Sequence, residues 1–489
     1  MNSQASAPTA SFSAGWSGFK PAIGLAGGLL LCLLIVLGVI PFFRFPTLLL
    51  FIASACFMLV RRHGTPDVLH PVRVFGALWC FCLALASMRL LSYISDWNLL
   101  TWTCLLTGLT CFVIGFWLAD RNSEHQRTAL KVGCSEDLAP RRFLPARKTL
   151  IVAWLCFAVG IAVLAYEFYL LGEIPLLSDN PDISRFRLFG TAESQFDKLY
   201  LKLLHPLVDF IKYGVLLAVI VLCQRKAKDR KTVFLSSLLI LSGTLALLSQ
   251  GGRVFLVYIV VPSAVLFHYL RRRIRLVEVV SATLIMFLVL GLFGYLRSSG
   301  KSQSAPLFES VRRISSFPEG QFWDGVAFGY GTLTLSYEVF FRLTQDLENM
   351  QHPAGGFLFY SLHRFIPRSE LGEIARDLYT GELTTATYLG DLYGDYQYWG
   401  VLLGSLLMGF GYGWAYSRER SGNRMYWIYV RALLVQMLIF FPYVNFFSIY
   451  VNWIFDLFFM YLLIRHLSAH GDQPLRPIAR SDAPAYLPA

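Results

Sequence analysis

The residues of this 489-residue chain with the clearest capacity for chemistry are arginines, carboxylates and a histidine between long apolar segments. Gly251 and Gly252 separate two such segments and are followed directly by Arg253. The glycines permit a tight turn with exposed backbone N–H groups, and the guanidinium adds a fork of donors at the start of the next helix. This combination suits a bound anion. A surface arginine that snorkels beside a glycine turn is the alternative.

A second pair of arginines lies in the segment 172–187. Asp182 can cap a short helix that carries Arg185 and Arg187. Two arginines spaced by two residues and interleaved with Phe186 could hold a phosphate and stack on sugar rings. The alternative is an ordinary solvated loop.

A histidine beside arginines follows later in the chain, where His363 and Arg364 are adjacent and Arg368 lies four residues beyond. Imidazole titrates near neutrality, so His363 can accept a proton from a hydroxyl. A basic juxtamembrane stretch that contacts lipid headgroups is the competing interpretation.

Two carboxylates, Asp391 and Asp395, lie four residues apart among tyrosines and Trp399. In a helix they share one face and repel each other, unless a cation or a hydroxyl-bearing ligand lies between them. An aromatic belt at a membrane interface would explain the rings but not the carboxylate pair. Acidic groups beside aromatic rings favour carbohydrate binding.

The composition indicates which elements position these residues. The chain is 55% hydrophobic and 15% charged, whereas soluble domains carry about 25% charged residues. Most of its apolar surface must therefore face lipid, which excludes soluble, fibrous and disordered classes. A net charge of +12 would suggest nucleic acid in a soluble protein, but here we expect a lipid bilayer and no nucleic acid. The nine cysteines show no metal-binding spacing, and we expect no metal and no cofactor.

The fold class that follows is an all-α polytopic membrane protein. A membrane helix needs about 20 mostly apolar residues, and about twelve segments qualify. They are roughly 22–41, 46–60, 72–94, 99–119, 149–171, 203–223, 232–249, 253–270, 276–296, 398–417, 425–441 and 449–466.

Basic residues orient these spans, because Lys and Arg in short loops stay on the cytoplasmic side. Alternate loops are rich in them, and twelve spans with both termini cytoplasmic agree with every such loop. The predicted divisions are a disordered tail 1–20, helices 1–4 with a basic loop in 21–148, helices 5–9 in 149–296 with a first periplasmic loop at 172–200, a large partly helical periplasmic loop at 297–397, helices 10–12 in 398–466, and a disordered tail 467–489.

Charges inside predicted spans are costly, so each needs a partner. Asp209 and Lys212 are three residues apart and form a predicted local ion pair, and Arg431 is predicted to pair with Asp456. Glu167 lies in the fifth span. Within the large loop, 329–350 has a helical pattern, with Glu338 and Arg342 as a predicted surface pair.

Three segments, in order within 149–466, resemble bacterial oligosaccharide repeat-unit polymerases, the Wzy-type O-antigen or exopolysaccharide polymerases. These segments are Gly172–Leu176 with Asp179 and Asn180-Pro181, the turn Gly251-Gly252-Arg253, and Gly390–Tyr396 with Gly400 and Gly404. The resemblance implies a GT-C-like architecture and an inner-membrane glycosyltransferase whose active site faces the periplasm. It further implies undecaprenyl-diphosphate-linked oligosaccharide as substrate, and a flippase and a chain-length regulator as partners.

The chemistry assigns roles within this interpretation. Departure of the lipid diphosphate needs an anion clamp and no metal, and the acceptor hydroxyl gains from one general base. The candidate base is His363, with Asp391 second. The candidate diphosphate ligands are Arg253, Arg364, Arg368, Arg185 and Arg187, and the candidate sugar ligands are Asp179, Tyr393 and Asp395.

Two other functions fit the same spans. A non-enzymatic flippase for lipid-linked sugars would also have about twelve spans and buried charges, but short loops and a mid-depth cavity are typical of it. An O-antigen ligase, which attaches finished glycan to an acceptor, shares the implied fold.

Overall fold

The computed structural model describes residues 45–59, 67–90, 94, 96–131, 144–178, 181, 184, 188, 204–224, 229–252, 254–285, 289, 321–346, 386–418, 424–444 and 452–469. Within these ranges the regular secondary structure is entirely helical. The α-helices are α1 Phe45–Leu59, α2 Pro71–Ser87, α3 Leu99–Lys131, α4 Ala146–Leu171, α5 Phe210–Gln224, α6 Arg230–Leu248, α7 Val254–Leu270, α8 Leu276–Ile285, α9 Gln321–Asp346, α10 Leu389–Ser417, α11 Arg424–Phe440 and α12 Asn452–Ala469.

The helical class is confirmed for this part of the chain. Each predicted span from 46–60 onward coincides, at least in part, with one of these helices. The first predicted span and both predicted tails lie outside the described residues. Among the described residues, four segments are long and apolar enough to cross a membrane: Leu99–Arg121, Ala146–Leu171, His205–Gln224 and Arg230–Leu248. The total of twelve spans stays a prediction.

The side chains of the described residues pack into two hydrophobic cores. One is built mainly from α2, α3, α9 and α10 around Trp79, Phe112 and Tyr388. The other is built mainly from α4, α5, α6, α7 and α12 around Ile211 and Leu239. Helix α11 contributes buried residues to both cores and therefore packs between them.

Helices α3 and α10 approach each other at the distance of backbone contact. A Cβ atom on Gly409 would lie 2.0 Å from the carbonyl oxygen of Phe112, and one on Gly115 would lie 2.1 Å from that of Leu406. Only residues without a side chain fit at these crossings, as is common between helices in membranes. The tight contact fixes α10, which carries three predicted site residues.

Helix α9 lies within the predicted large loop and packs on the bundle. Tyr330 donates a hydrogen bond to the carbonyl oxygen of Leu85 at 2.7 Å. The predicted Glu338–Arg342 pair forms, with 3.2 Å between Arg342 Nε and Glu338 Oε1. The expectation of a surface pair is wrong, however, because the Glu338 carboxylate is fully buried and also accepts a bond from Trp97 Nε1 at 3.1 Å.

A buried ion pair joins α5 to α12. Lys212 Nζ lies 2.7 Å from Asp456 Oδ2, and the Tyr213 hydroxyl donates to the other carboxylate oxygen at 2.5 Å. The predicted local partner, Asp209, is more distant at 3.9 Å. The predicted pairing of Asp456 with Arg431 is wrong, because Lys212 and Tyr213 occupy both carboxylate oxygens. Arg431 instead donates to the carbonyl oxygen of Tyr416 and lies over its ring.

Asp67, four residues before α2, joins the C-terminal ends of α7 and α10. Its Oδ2 accepts hydrogen bonds from Tyr269 of α7 at 2.7 Å and Tyr416 of α10 at 2.6 Å. Its Oδ1 lies 3.2 Å from His268 Nε2. Burial raises the pKa of Asp67, but the hydrogen bonds from His268, Tyr416 and Tyr269 outweigh burial and hold this pKa well below its ordinary value. We call this the Asp67 end.

Candidate active site at the Glu167 end of the bundle

The first turns of α10 fold back against the rest of that helix. The backbone leaves helical geometry at Tyr396 and at Gln397, where φ is 50°. A Cβ on Gly400 would lie 1.9 Å from the carbonyl oxygen of Leu392, so the two arms of this helical hairpin touch through a glycine. Gly400 and Gly404 both pack on Leu392, which gives a steric reason for these glycines in the segment.

The short arm of the hairpin carries the predicted carboxylates. Asp391 and Asp395 lie one turn apart in the same helical arm, as predicted, and both are buried. Asp391 is in the first turn, where a carboxylate interacts favourably with the helix dipole. Tyr393 is buried too, with its ring edge-on to Phe340 of α9 at 5.8 Å. Two buried carboxylates one turn apart can accept hydrogen bonds from the hydroxyl groups of a ligand.

The segment after α4 forms a small polar cluster. Gly172, with φ of 77°, ends α4, and Pro175–Leu177 form a single 3₁₀ turn. Ser184 donates a hydrogen bond to the Glu173 carboxylate, and its Oγ lies 2.9 Å from Ser178 Oγ. The cluster brings a carboxylate and two hydroxyls together, which are groups that bind sugar hydroxyls.

The turn after α6 contacts this segment directly. The backbone N–H of Leu176 donates to the carbonyl oxygen of Ser249 at 3.1 Å. A Cβ on Gly251 would meet Pro175 Cβ at 3.6 Å and Pro181 O at 3.8 Å, and its φ of 75° suits glycine. Two of the segments that carry the resemblance therefore lie side by side. Gln250, between them and α6, is buried, and its Nε2 has no hydrogen-bond partner in the described part of the chain.

A glutamate and a histidine contact each other where α4 ends and the turn before α5 begins. Glu167 lies in the last turns of α4, and His205 begins the 3₁₀ turn His205–Asp209 that leads into α5. His205 Nδ1 is 2.9 Å from Glu167 Oε1. The glutamate side chain is only 4% exposed, whereas the histidine side chain is 33% exposed. A buried carboxylate thus holds a partly exposed imidazole. We call this region, with residues 172–178 and 184 and the 249–252 turn, the Glu167 end.

Sequence reasoning singled out Glu167 as a buried charge but missed His205. The signal was present, because consecutive spans run in opposite directions. Glu167 lies four residues before the end of α4, and His205 lies just before α5. Both residues are therefore expected at a similar depth in the membrane. The pair could therefore have been predicted from position alone.

Of the predicted site residues, the described part of the chain contains Asp391, Tyr393 and Asp395. The others lie outside it: Arg253, Arg364, Arg368, Arg185, Arg187, Asp179 and His363. Their roles stay predictions. Among the described residues, no group of three His, Cys, Asp or Glu side chains is placed to hold a metal ion.

Comparison of the chain with protein-family models, with curated proteins and with solved structures found no match.

Proposed function

We propose that this protein is an inner-membrane polymerase that joins undecaprenyl-diphosphate-linked oligosaccharide repeat units into a long surface polysaccharide, an O-antigen or an exopolysaccharide. Both termini would be cytoplasmic, and the Glu167 end would face the periplasm. A flippase would supply the lipid-linked units, and a chain-length regulator would act with the polymerase.

One observation carries the proposal: the contact between the 172–178 segment and the turn after α6. The Leu176–Ser249 hydrogen bond joins two segments that resemble repeat-unit polymerases although they lie far apart in sequence. The first of these segments carries the Glu173 carboxylate and the Ser178 hydroxyl, both bonded to Ser184. Arg253 directly follows Gly252 of the turn in the sequence. Sugar-binding groups beside a predicted anion ligand suit a substrate in which a sugar is joined to a diphosphate.

The reaction places two demands on such a site. Cleavage of the bond between the anomeric carbon and the diphosphate oxygen develops positive charge on the sugar and negative charge on the leaving group. Arg253, Arg185, Arg187, Arg364 and Arg368 are proposed to stabilise the departing anion. The attacking hydroxyl belongs to the non-reducing end of a new lipid-linked unit, and the buried Asp391 and Asp395 are proposed to bind sugar hydroxyls there.

Glycan length in a deletion strain tests the proposal. Deletion of the gene should abolish long chains and leave acceptors that carry a single repeat unit, and the wild-type gene should restore the ladder. Finished polymer retained on its lipid carrier, with bare acceptor, would instead indicate a ligase. Repeat units trapped on the inner leaflet would indicate a flippase. Either result would overturn the polymerase assignment.

A further inference from the structure

We infer that His205 is the general base that removes the proton from the acceptor sugar hydroxyl, and that Glu167 is its positioning residue. The inference rests on the proposed glycosyl transfer and assigns the proton acceptor within it. From the sequence, His363 is the candidate base because arginines lie near it in the chain. His205 replaces it here because its carboxylate partner is observed.

The geometry of the pair suits a base. When His205 Nδ1 carries the ring proton and donates it to Glu167 Oε1, across the observed 2.9 Å, Nε2 bears the lone pair. The carboxylate fixes the ring orientation and stabilises the imidazolium that forms on proton uptake. Glu167 is buried and the His205 side chain is one-third exposed, so a buried carboxylate holds a ring that is itself partly accessible.

The pair lies on the helix that leads into the polar cluster. Gly172 ends α4 five residues after Glu167, a rise of about 7.5 Å along the helix axis, and Glu173 of the cluster follows directly in the chain. Pro206, directly after His205, restricts the backbone at the start of the 3₁₀ turn.

The transfer step then balances. The acceptor oxygen forms a bond to the anomeric carbon while its proton passes to His205 Nε2. The bond from the anomeric carbon to the diphosphate oxygen breaks, and its electron pair leaves with the undecaprenyl diphosphate. The imidazolium afterwards releases the proton to water, so no oxidant, reductant or metal is consumed.

The experiment uses purified full-length protein with lipid-linked repeat units and measures the rate of polymer formation. His205→Ala should lower kcat by about 10²- to 10⁴-fold with little change in KM. Added imidazole should restore part of the rate, and more basic imidazoles should restore more. A merely structural histidine would not give a rescue that follows the basicity of the added compound.

Glu167 variants separate orientation from folding. Glu167→Gln keeps an acceptor for Nδ1–H and should lose about tenfold in kcat, and Glu167→Ala should lose more. His205→Gln, which keeps a polar side chain, should remain as stable as the wild type and still lack activity. His466→Ala, an exposed histidine in the last turn of α12, is the matched control and should leave the rate unchanged.

The outcomes distinguish the two proposals. If the wild-type protein forms no polymer from lipid-linked units, the proposed function fails. If the wild type is active and His205→Ala retains its rate, or a stable His205→Ala is inactive and no imidazole rescues it, the assignment of His205 is overturned while the proposed function stands.

Discussion

Lys212 and Asp456 form an ion pair at 2.7 Å inside the bundle, with both side chains buried. Each charge is stable there because the other compensates for the water that it has lost. Removal of one partner leaves an uncompensated buried charge, which typically costs about 3–5 kcal/mol.

We therefore expect Lys212→Met and Asp456→Leu to lower thermal stability strongly as single substitutions, and the double variant to recover most of the loss. Melting of the detergent-solubilised protein, followed by size-exclusion chromatography after heating, measures this. Lys231→Met removes an exposed lysine from α6 and should have little effect. Additive losses in the double variant would contradict the pairing.

Asp67 should make stability depend on pH in a defined direction. Its pKa is lower in the folded protein than in the unfolded chain, so its contribution is fully present above the unfolded value of about 4. That contribution is lost as the pH falls through the folded value. The difference in the free energy of unfolding between wild type and Asp67→Asn should be present at pH 5 and should narrow as the pH falls below about 4. A difference that widens below pH 4 would exclude this role.

The limits of sequence reasoning are visible at single residues. Asp209 was a reasonable partner for Lys212 because it is three positions away, but the closer partner lies 244 positions away on α12. Such a pairing depends on which helices pack together, and helical periodicity within one span does not specify that. The Glu167–His205 pair could be predicted, because the two residues lie at the end of one span and the start of the next and are therefore at a similar depth in the membrane.

At the scale of elements, the helical hairpin at the start of α10 places Asp391 and Asp395 inside the bundle. The close approach of Gly400 to Leu392 holds the short arm in place. The sequence predicted helix and a shared face for the two carboxylates. It did not predict the reversal at Tyr396 and Gln397, because neither residue is a typical turn former.

Gly400→Ala should disrupt this hairpin, because the added methyl group would lie 1.9 Å from the Leu392 carbonyl oxygen. Overpacking of this kind typically costs about 1–3 kcal/mol, and we expect a lower melting temperature together with reduced polymer formation. Gly411→Ala is the matched control, since nothing lies within 4 Å of the added Cβ on the same helix. Equal behaviour of the two variants would refute the steric explanation.

Helix α9 shows a second limit at this scale. Its helical pattern was predicted, but Glu338 and Arg342 looked like a surface pair because charged residues four apart usually face solvent. The buried Glu338 carboxylate also accepts a hydrogen bond from Trp97, 241 positions earlier. An amphipathic pattern predicts that one face of a helix is buried, but it does not predict which residues cover that face.

At the scale of the whole molecule, the predicted sidedness has a direct test. Alkaline phosphatase is active only after export, so a fusion after Ser178 should be active if the Glu167 end is periplasmic. A fusion after Gln224, at the far end of α5, should be inactive, and a C-terminal fluorescent protein should be bright. Immunoblots control for fusion abundance. The reverse activities would place the proposed site in the cytoplasm.

The position of α11 has a mechanical consequence. Its residues Leu433 and Met437 belong to one core, whereas Tyr429 and Val435 belong to the other. In the part of the chain that the structure describes, one helix buried in both cores joins the two halves and opposes their rotation against each other. For the proposed polymerase we therefore expect donor and acceptor to bind and leave without a relative movement of these two cores.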